Sequence, residues 1–257
     1  MKIKQVLSAL EQFAPLPLQE SWDNAGLQLG LTEAEVSGAL LCLDVNEKIV
    51  DEAIRKGCNL IVSHHPLLFR GLKQISGDDY VQRSVIKALK NDIVVVSMHT
   101  NMDNAQGGVN WKIAEKLGAT VLNGLAAENE KTPLVLAELP QSLDARAFIE
   151  LVKKQFGVEC AQCNELLLRP IKKVAICGGA GDFLLDEALV QGADAFITGE
   201  MHYHQYFGYE QRIQICIIGH YQSEQFTSEI FRDIIQKECP GVRTEIAETN
   251  TNPIVYL

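Results

Sequence analysis

The amino-acid sequence predicts an α/β fold built on mostly parallel sheets, and two observations lead to that prediction. First, short apolar runs alternate with longer amphipathic runs, which is the pattern of strands alternating with helices. Second, this alternation occurs in each half of the 257-residue chain, a length that suits one large or two small domains. Alternating elements of this kind place helices on the faces of a parallel sheet.

The apolar and amphipathic runs define the elements in chain order. In the first half we predict strands at 39–45, 59–63 and 93–98 and helices at 46–57, 80–91 and 108–118. The first helix ends at Gly57, because glycine commonly follows the last helical residue. In the second half we predict strands at 132–140, 173–177, 195–198 and 213–219 and helices at 143–157, 182–191 and 222–238.

The two halves also resemble each other residue by residue. A shift of 135 positions aligns Cys42 with Cys177, Asp51-Glu52-Ala53 with Asp186-Glu187-Ala188, Gly57 with Gly192, Asn59 with Asp194 and Ser63 with Thr198. Both stretches run strand, helix, glycine, strand, which favours an internal repeat and two domains of similar topology. The alternative is that unrelated units of this type share a few identities by chance. A boundary is predicted within 119–131, where the periodicity is lost.

Composition and charge exclude several classes of protein. A hydrophobic fraction of 47% is typical of a globular protein and excludes a disordered chain. The 23 basic and 33 acidic residues give a net charge of −10, which disfavours nucleic-acid binding because that affinity comes from basic side chains. No apolar run approaches the ~20 residues of a membrane span, and Glu11 interrupts the N-terminal apolar stretch. We therefore predict a cytoplasmic protein.

Seven cysteines are scattered along the chain, and five of them lie in apolar or mixed segments. In a reducing compartment such cysteines behave as small buried hydrophobic residues. The other two, Cys160 and Cys163, form a CxxC pair, which occurs in redox sites and in zinc sites. No second CxxC completes a zinc site here, so we predict that this pair has no site function.

The histidines point to a metal site at one sheet edge. Three predicted strands end at histidines, and two of these are followed four residues later by a carboxylate: His64 and His65, His99 with Asp103, and His220 with Glu224. In open α/β sheets, ligands bind beyond the carboxyl ends of the strands. One such histidine is commonly a surface or capping residue, but the recurrence at three strand ends favours a shared metal site.

Imidazole nitrogens and carboxylate oxygens bind zinc, iron, manganese and similar ions. His64 and His65 are consecutive, and consecutive strand residues point to opposite faces, so the two cannot serve one ion from regular strand geometry. They can diverge toward two ions a few Å apart. Two carboxylates and several imidazoles are a suitable ligand set for a two-metal centre.

Five motifs in this order resemble a known family. They are SWDNAGLQLG, SHHPLLF, HTNMDNAQGGVNWKIAEKLG, TGEMHYH and GHYQSEQ. Together they resemble the Nif-three-like dinuclear-metal-centre family, whose members are often named GTP cyclohydrolase I type 2 homologs. The resemblance covers about 1–118 and 172–257, and the intervening part matches only loosely.

The resemblance implies two similar α/β domains, the second inserted into the first. On that basis 1–124 and 215–257 form the metal-binding domain and 125–214 form the inserted domain. It also implies two divalent metal ions per chain and a homohexameric ring. The family ligands fall on five residues of this chain, which are His64, His65, Asp103, His220 and Glu224. His99 falls close to the metals as a ligand or a proton-transfer group.

Several other residues are candidates for the surroundings of the site. Glu200 aligns with His65 in the repeat and is predicted either to face the site, with His202 and His204, or to lie in an exposed loop. Asp44 is expected either to orient a metal-bound histidine or to cap the next helix. Trp22 and Asp23 are expected either to border the site or to belong to the core. The turn Gly178-Gly179-Ala180-Gly181 is predicted as a tight strand-to-helix turn, with backbone anion contact as the alternative.

The sequence therefore predicts a dinuclear metal-binding protein that acts as a hydrolase on a small, nucleotide-like substrate. A water bridging the two ions would attack the substrate, and His99 would transfer the proton. The cyclohydrolase activity comes from the resemblance alone. The alternative is a non-enzymatic metal-binding or metal-handling protein, or an oligomeric scaffold, whose function would not depend on His99 while the metals stay bound. No nucleic-acid or membrane partner is expected.

Overall fold

The computed structural model describes residues 1–122 and 131–255. The chain divides into two compact units. The first comprises Met1–Ala105 and Thr227–Leu257, and the second comprises Gln106–Phe226. The second unit is thus inserted into the first, as the resemblance implies.

The elements follow one another in the alternation that the sequence predicts. Met1–Ala105 folds into α1 (Ile3–Phe13), β1 (Gly26–Leu29), β2 (Ala39–Cys42), α2 (Glu47–Arg55), β3 (Leu60–Ser63), α3 (Tyr80–Lys90), β4 (Val94–Ser97) and α4 (Thr100–Asn104). Gln106–Phe226 folds into α5 (Val109–Lys116), β5 (Thr120–Val121), β6 (Val135–Leu143), α6 (Ala145–Phe156), β7 (Gln162–Cys163), β8 (Ile171–Cys177), α7 (Leu185–Val190), β9 (Ala195–Thr198), β10 (Gln214–Ile217) and α8 (His220–Glu224). The first unit is completed by α9 (Thr227–Glu238) and β11 (Thr244–Ile246). Within the described residues, no helix combines the length and the apolar character that crossing a membrane requires.

Each unit contains one sheet whose centre is parallel. Among the described residues, the first sheet has the order β1-β4-β3-β2-β11, and only β1 runs antiparallel to its neighbour. The second sheet has the order β5-β6-β8-β9-β10-β7, in which β8, β9 and β10 are parallel and the outer strands are antiparallel. The predicted α/β class with parallel strands is confirmed, and the antiparallel pairings flank the parallel centre of each sheet.

The internal repeat is visible in the strand register. Cys42 pairs with Ser63 in the first sheet, and Cys177 pairs with Thr198 in the second, at the positions that the 135-residue shift aligns. In both units the third parallel strand is followed by a five-residue helix, α4 in the first and α8 in the second. Both units therefore have a helix between the first and second of these parallel strands and a short helix after the third, and the first unit has the additional helix α3 between the second and third.

The predicted elements agree with the structure except in one helix. The segment predicted as a single helix, 222–238, is two helices, because α8 ends at Glu224 and α9 begins at Thr227. The central strands were predictable because they are apolar throughout, and all four residues of β2, β3, β4, β9 and β10 are buried. The pattern did not indicate α1, β1 or the short edge strands.

The bounds of the units differ from the predicted domain bounds. The boundary predicted at 124/125 lies outside the described residues. The structure assigns α5 to the second unit, where it packs against β5, β6 and β8, and assigns β10 to the same unit because it pairs with β9 and β7. The helix α9 packs against α1, β2 and β11 of the first unit. The residues 215–226 consequently belong to the second unit, together with His220 and Glu224.

A buried carboxylate joins α2 to the C-terminal segment. Glu52 is 2% exposed and accepts hydrogen bonds from the backbone N–H of Glu248 (2.8 Å), from the backbone N–H of Thr249 (3.0 Å) and from the Thr249 hydroxyl (2.6 Å). Lys56 Nζ lies 3.1 Å from Glu52 Oε1. Burial raises the pKa of Glu52, but these hydrogen bonds outweigh it and lower the pKa to about 2.

The Glu52→Gln variant is expected to unfold more easily by about 2 to 3 kcal/mol at neutral pH. Its amide NH₂ would face backbone N–H donors, so a charge-assisted acceptor is replaced by a donor. Because the folded pKa lies below the ordinary value of 4.5, the difference from the parent is full above pH 4.5 and shrinks as the pH falls toward 2. Urea unfolding at several pH values measures it.

Glu187 provides the matched control for this prediction. It occupies the corresponding position in the repeat, but it is exposed, and among the described residues its side chain accepts a hydrogen bond from Gln191 alone (2.8 Å). Glu187→Gln is expected to change the free energy of unfolding by less than about 0.5 kcal/mol. Equal effects of the two substitutions would contradict the role given to Glu52.

Candidate metal centre

In the first unit, the carboxyl ends of two neighbouring parallel strands bring three imidazoles together. His64 and His65 follow β3, and His99 follows β4 after a single residue. The ring centroids lie 4.9 Å apart for His64 and His65, 5.3 Å for His64 and His99, and 5.4 Å for His65 and His99. One ring nitrogen of each histidine lies within 4.8 Å of the other two, close enough for a shared cation.

Each of these histidines is held by its Nδ1 atom. Nδ1 lies 2.9 Å from the Met98 carbonyl oxygen in His64 and 2.7 Å from a carboxylate oxygen in both His65 and His99. All three partners can only accept a hydrogen bond, so Nδ1 carries the proton and the lone pair is on Nε2. This is the tautomer in which proteins present histidine to metal ions, with the other nitrogen fixed by an acceptor.

Asp23 is the acceptor for His99. Its side chain is buried, and its second oxygen accepts hydrogen bonds from the Thr100 backbone N–H (3.1 Å) and the Thr100 hydroxyl (2.5 Å). Burial raises the pKa of Asp23, but the hydrogen bonds from His99 and Thr100 outweigh it and lower the pKa to about 2. Asp23 therefore stays ionised and borders the imidazole cluster. The sequence left open whether Asp23 borders the site or belongs to the core, and the structure agrees with the first alternative.

Asp44 is the acceptor for His65. It follows β2, accepts from His65 Nδ1 at 2.7 Å, and accepts from the Thr251 hydroxyl at 2.6 Å. Burial raises the pKa of Asp44, and the hydrogen bond from His65 leads the interactions that lower it on balance. The alternative role as a helix cap is wrong, because Asn46 caps α2. The Asn46 side chain accepts hydrogen bonds from the backbone N–H groups of Lys48 and Ile49.

Asp103 adds a carboxylate to the first-unit cluster. It lies on α4, and its Oδ1 atom is 3.6 Å from His64 Nε2. That separation is longer than a good hydrogen bond. It is close to the spacing of two ligands on one ion, which is about 3 to 3.5 Å because each sits about 2.1 Å from the ion. Asp103 and His64 can therefore act as ligands of the same cation.

The second unit holds a similar pair on α8. His220 Nε2 and Glu224 Oε2 lie 3.2 Å apart, because residues four apart occupy one face of a helix. His220 Nδ1 lies 3.0 Å from Glu200 Oε1, so this histidine too presents Nε2. Glu224 is buried, whereas Glu200 is exposed. Glu200 thus orients His220, a role that sequence reasoning left undecided.

The turn after β8 packs tightly against α8. Gly179 has a φ of +62°, which favours glycine, and a Cβ atom there would lie 2.4 Å from Glu224 Oε1 and would displace that carboxylate. The amides of Gly178, Gly179 and Gly181 donate to side-chain oxygens of Asn110, Ser223 and Thr198. Since these three amides already have acceptors within the protein, their hydrogen bonds favour the predicted tight turn over anion contact.

The remaining candidates lie apart from these pairs. His202 is exposed and bonded through Nδ1 to Asp182 Oδ2 at 2.8 Å, and exposed His204 packs against the rings of Tyr203 and Phe207. Cys160 is exposed, half-buried Cys163 pairs across the sheet with Cys216, and the other four cysteines are buried. In the described part of the chain, no candidate metal-binding group contains a cysteine, His202 or His204.

Fold and site together define a class: an α/β protein with an inserted second unit, whose strand-end histidines and carboxylates can bind a divalent metal. A family model described as Duf34/NIF3 (NGG1p interacting factor 3) matches residues 1–253. The chain therefore belongs to the Duf34/NIF3 family, and the predicted resemblance is confirmed.

Relatives and solved structures agree with this assignment. The chain is 36% identical over 228 residues to a GTP cyclohydrolase 1 type 2 homolog of Clostridium perfringens, covering 87% of each chain. It is 30% identical over 258 residues to a protein of the same name from Campylobacter jejuni, covering all of both. The crystal structure of Staphylococcus aureus protein SA1388 matches with a TM-score of 0.90 and 27% identity, covering 100% of this chain and 99% of that one. A Bacillus cereus protein related to NIF3 has a TM-score of 0.87 at 23% identity, covers the same shares, and supports the fold alone.

Proposed function

We propose that the protein binds two divalent metal ions and uses them to hydrolyse a small-molecule substrate. The observation that carries the proposal is the orientation of four imidazoles at strand ends. In each of them Nδ1 is bonded to a carbonyl or carboxylate oxygen, which directs the Nε2 lone pair toward a cation: His64, His65, His99 and His220.

The proposed ligands are three residues of the first unit and two of the second. The two His–carboxylate pairs, at 3.6 Å and 3.2 Å, have the spacing of ligands on one ion. Imidazoles with carboxylates bind zinc, iron, manganese and similar ions, and carboxylates offset part of the ionic charge. The proposed set is His64, His65, Asp103, His220 and Glu224.

His99 is the proposed proton-transfer group. Two divalent ions bound there would supply Lewis acidity, which would lower the pKa of a water molecule and polarise an electrophilic substrate. The ionised Asp23 holds His99 with its proton on Nδ1, so Nε2 is the atom that accepts a proton. The resulting imidazolium is stabilised by the Asp23 charge, as in other His–Asp pairs. The name shared by the curated relatives makes GTP and other nucleotides the first substrates to assay.

The test is the metal content per chain of untagged protein purified without chelator. We expect about two equivalents in the parent and close to none in the His64→Ala/Glu224→Ala double variant. The control is His202→Ala, which removes a histidine that also has a carboxylate partner but lies outside the proposed ligand set. Circular dichroism checks that the variants fold, and light scattering on the same samples tests the hexamer that the resemblance predicts.

Two outcomes would count against the proposal in different ways. No metal in the reconstituted parent would contradict the metal centre itself. About two equivalents in the parent with no hydrolysis of nucleotides, phosphoesters or cyclic amides would contradict the enzymatic part and favour metal handling. If hydrolysis is found, His99→Ala is expected to lower it at least 100-fold while the metal content stays at the parent value.

A further inference from the structure

Two exposed aromatic side chains lie beside the first-unit imidazoles. Trp22 is 59% exposed and Phe69 is 45% exposed. Their ring centroids lie 5.9 Å apart in an edge-to-face arrangement, and both rings contact His99, at 6.0 Å from Trp22 and 6.3 Å from Phe69. Aromatic rings beside a few convergent polar groups are typical of the lining of a small-molecule site.

The loops that present these rings are held together by hydrogen bonds. Asn24 Nδ2 donates to the Leu68 carbonyl (2.7 Å), and the Leu68 N–H donates to Gln28 Oε1 (3.1 Å). Buried Gln28 in turn donates to the Asn24 carbonyl (2.7 Å). The exposure of Trp22 and Phe69 therefore comes from loops that the protein fixes in place. A fixed ring pair binds a ligand with less loss of side-chain entropy than a mobile one.

The ring pair is also tied directly to the proposed chemistry. Trp22 precedes Asp23, the carboxylate that orients His99, and Phe69 follows Leu68, whose backbone joins the two loops. Because the two rings are edge-to-face, a flat ligand would stack on one of them and pack its edge against the other, next to the His99 imidazole that both rings contact. Two rings cannot bury the roughly 800 Å² per partner that a stable protein interface needs, so the surface suits a small molecule.

We propose that Trp22 and Phe69 form a stacking subsite for a planar heteroaromatic ring, such as a nucleobase, in the ligand of this site. The inference rests on the proposed function for its setting, but it is tested separately from the metals. Stacking of a base on an aromatic side chain is a strong and sequence-tolerant interaction, because every base has a π-face. Hydrogen-bonding selection among bases is not required for this subsite.

The chain contains two tryptophans, so the Trp111→Phe variant leaves Trp22 as the single fluorescent reporter. In chelator-treated Trp111→Phe protein, guanosine and adenosine are expected to quench Trp22 emission saturably. Ribose and ribose 5-phosphate are expected to have no effect. Nucleosides lack phosphate, so this titration reports on ring stacking in the absence of any metal–phosphate contact.

Phe69→Ala in the same background is expected to weaken nucleoside binding about 5- to 100-fold, and Phe69→Tyr is expected to restore it to within about threefold. Tyr80, an exposed aromatic residue at the start of α3, provides the control, and Tyr80→Ala is expected to leave binding unchanged. Metal content is measured on every variant and is expected to equal that of the parent.

Several results would overturn the inference while leaving the metal proposal intact. One is the absence of quenching by either nucleoside in both metal-free and metal-loaded protein that still binds two ions. Another is equal quenching by ribose 5-phosphate, which would assign binding to the phosphate. A third is Trp22 emission that changes with protein concentration and not with nucleoside, which would mean that a second copy of the chain covers the rings.

Saturable nucleoside quenching in a protein that binds no metal would support the subsite and contradict the proposed function.

Discussion

The Asp44→Ala variant is expected to bind metal about 10- to 100-fold more weakly than the parent. Asp44 fixes the His65 ring through a 2.7 Å hydrogen bond to Nδ1 and favours the tautomer with its lone pair on Nε2. Without that carboxylate the ring can rotate and take the other tautomer, and a nearby negative charge that stabilises the cation is lost. Competition with a chromophoric chelator gives the affinity, and circular dichroism verifies the fold.

Thr251→Ala is the matched control for this expectation. It removes the hydroxyl that donates to the other Asp44 oxygen at 2.6 Å and leaves the Asp44–His65 bond in place. We expect its metal affinity to fall by less than about threefold, because the carboxylate charge and its contact with His65 remain. Asp44→Ala protein that binds metal as tightly as the parent would show that His65 is not oriented by Asp44, or is not a ligand.

The ligand candidates were visible in the sequence because each follows an apolar strand. Parallel strands end at one sheet edge, so Asp44 after β2, His64 and His65 after β3, and His99 after β4 were bound to be neighbours in the first unit. Its position after β2 made Asp44 a candidate hydrogen-bond partner of one of these histidines.

Long-range partners were much less predictable. Asp23 lies in a loop 76 residues before His99, and no periodicity links the two. The same holds for Glu52, which reads as an ordinary helix residue and is identical to Glu187 in the repeat. Only the C-terminal segment, folded back onto α2, makes Glu52 a buried acceptor. Local patterns predict which element a residue belongs to, but tertiary packing decides its partner.

The domain bounds were difficult to predict because the helix that follows each short helix belongs to the other unit. After each short helix the chain crosses to the other unit, so α5 follows α4 yet packs on the second sheet, and α9 follows α8 yet packs on the first. The break between α8 and α9 lies inside GHYQSEQFTSE, where helical periodicity is continuous. A change of packing partner within an unbroken amphipathic run leaves no compositional signal.

The repeat also shows how the two units have diverged at the site, which leads to the last prediction. The 135-residue shift aligns Gly199 with His64 and Glu200 with His65. In the second unit there is no room for a side chain at the first of these positions. A Cβ atom on Gly199 would lie 2.6 Å from the Gly179 carbonyl oxygen, 2.8 Å from the His220 Cα atom and 2.9 Å from Ser223 Oγ.

Gly199→Ala is therefore expected to destabilise the protein by about 1 to 3 kcal/mol and to weaken metal binding as well. Two of the three close atoms belong to the backbone and cannot move away as a flexible side chain could, so α8 must shift and take His220 and Glu224 with it. Urea unfolding and chelator competition measure the two effects. Gly71→Ala, at a position open to solvent, is the control and is expected to change stability by less than about 0.5 kcal/mol. Gly199→Ala protein that matched the parent in both stability and metal affinity would contradict the steric argument.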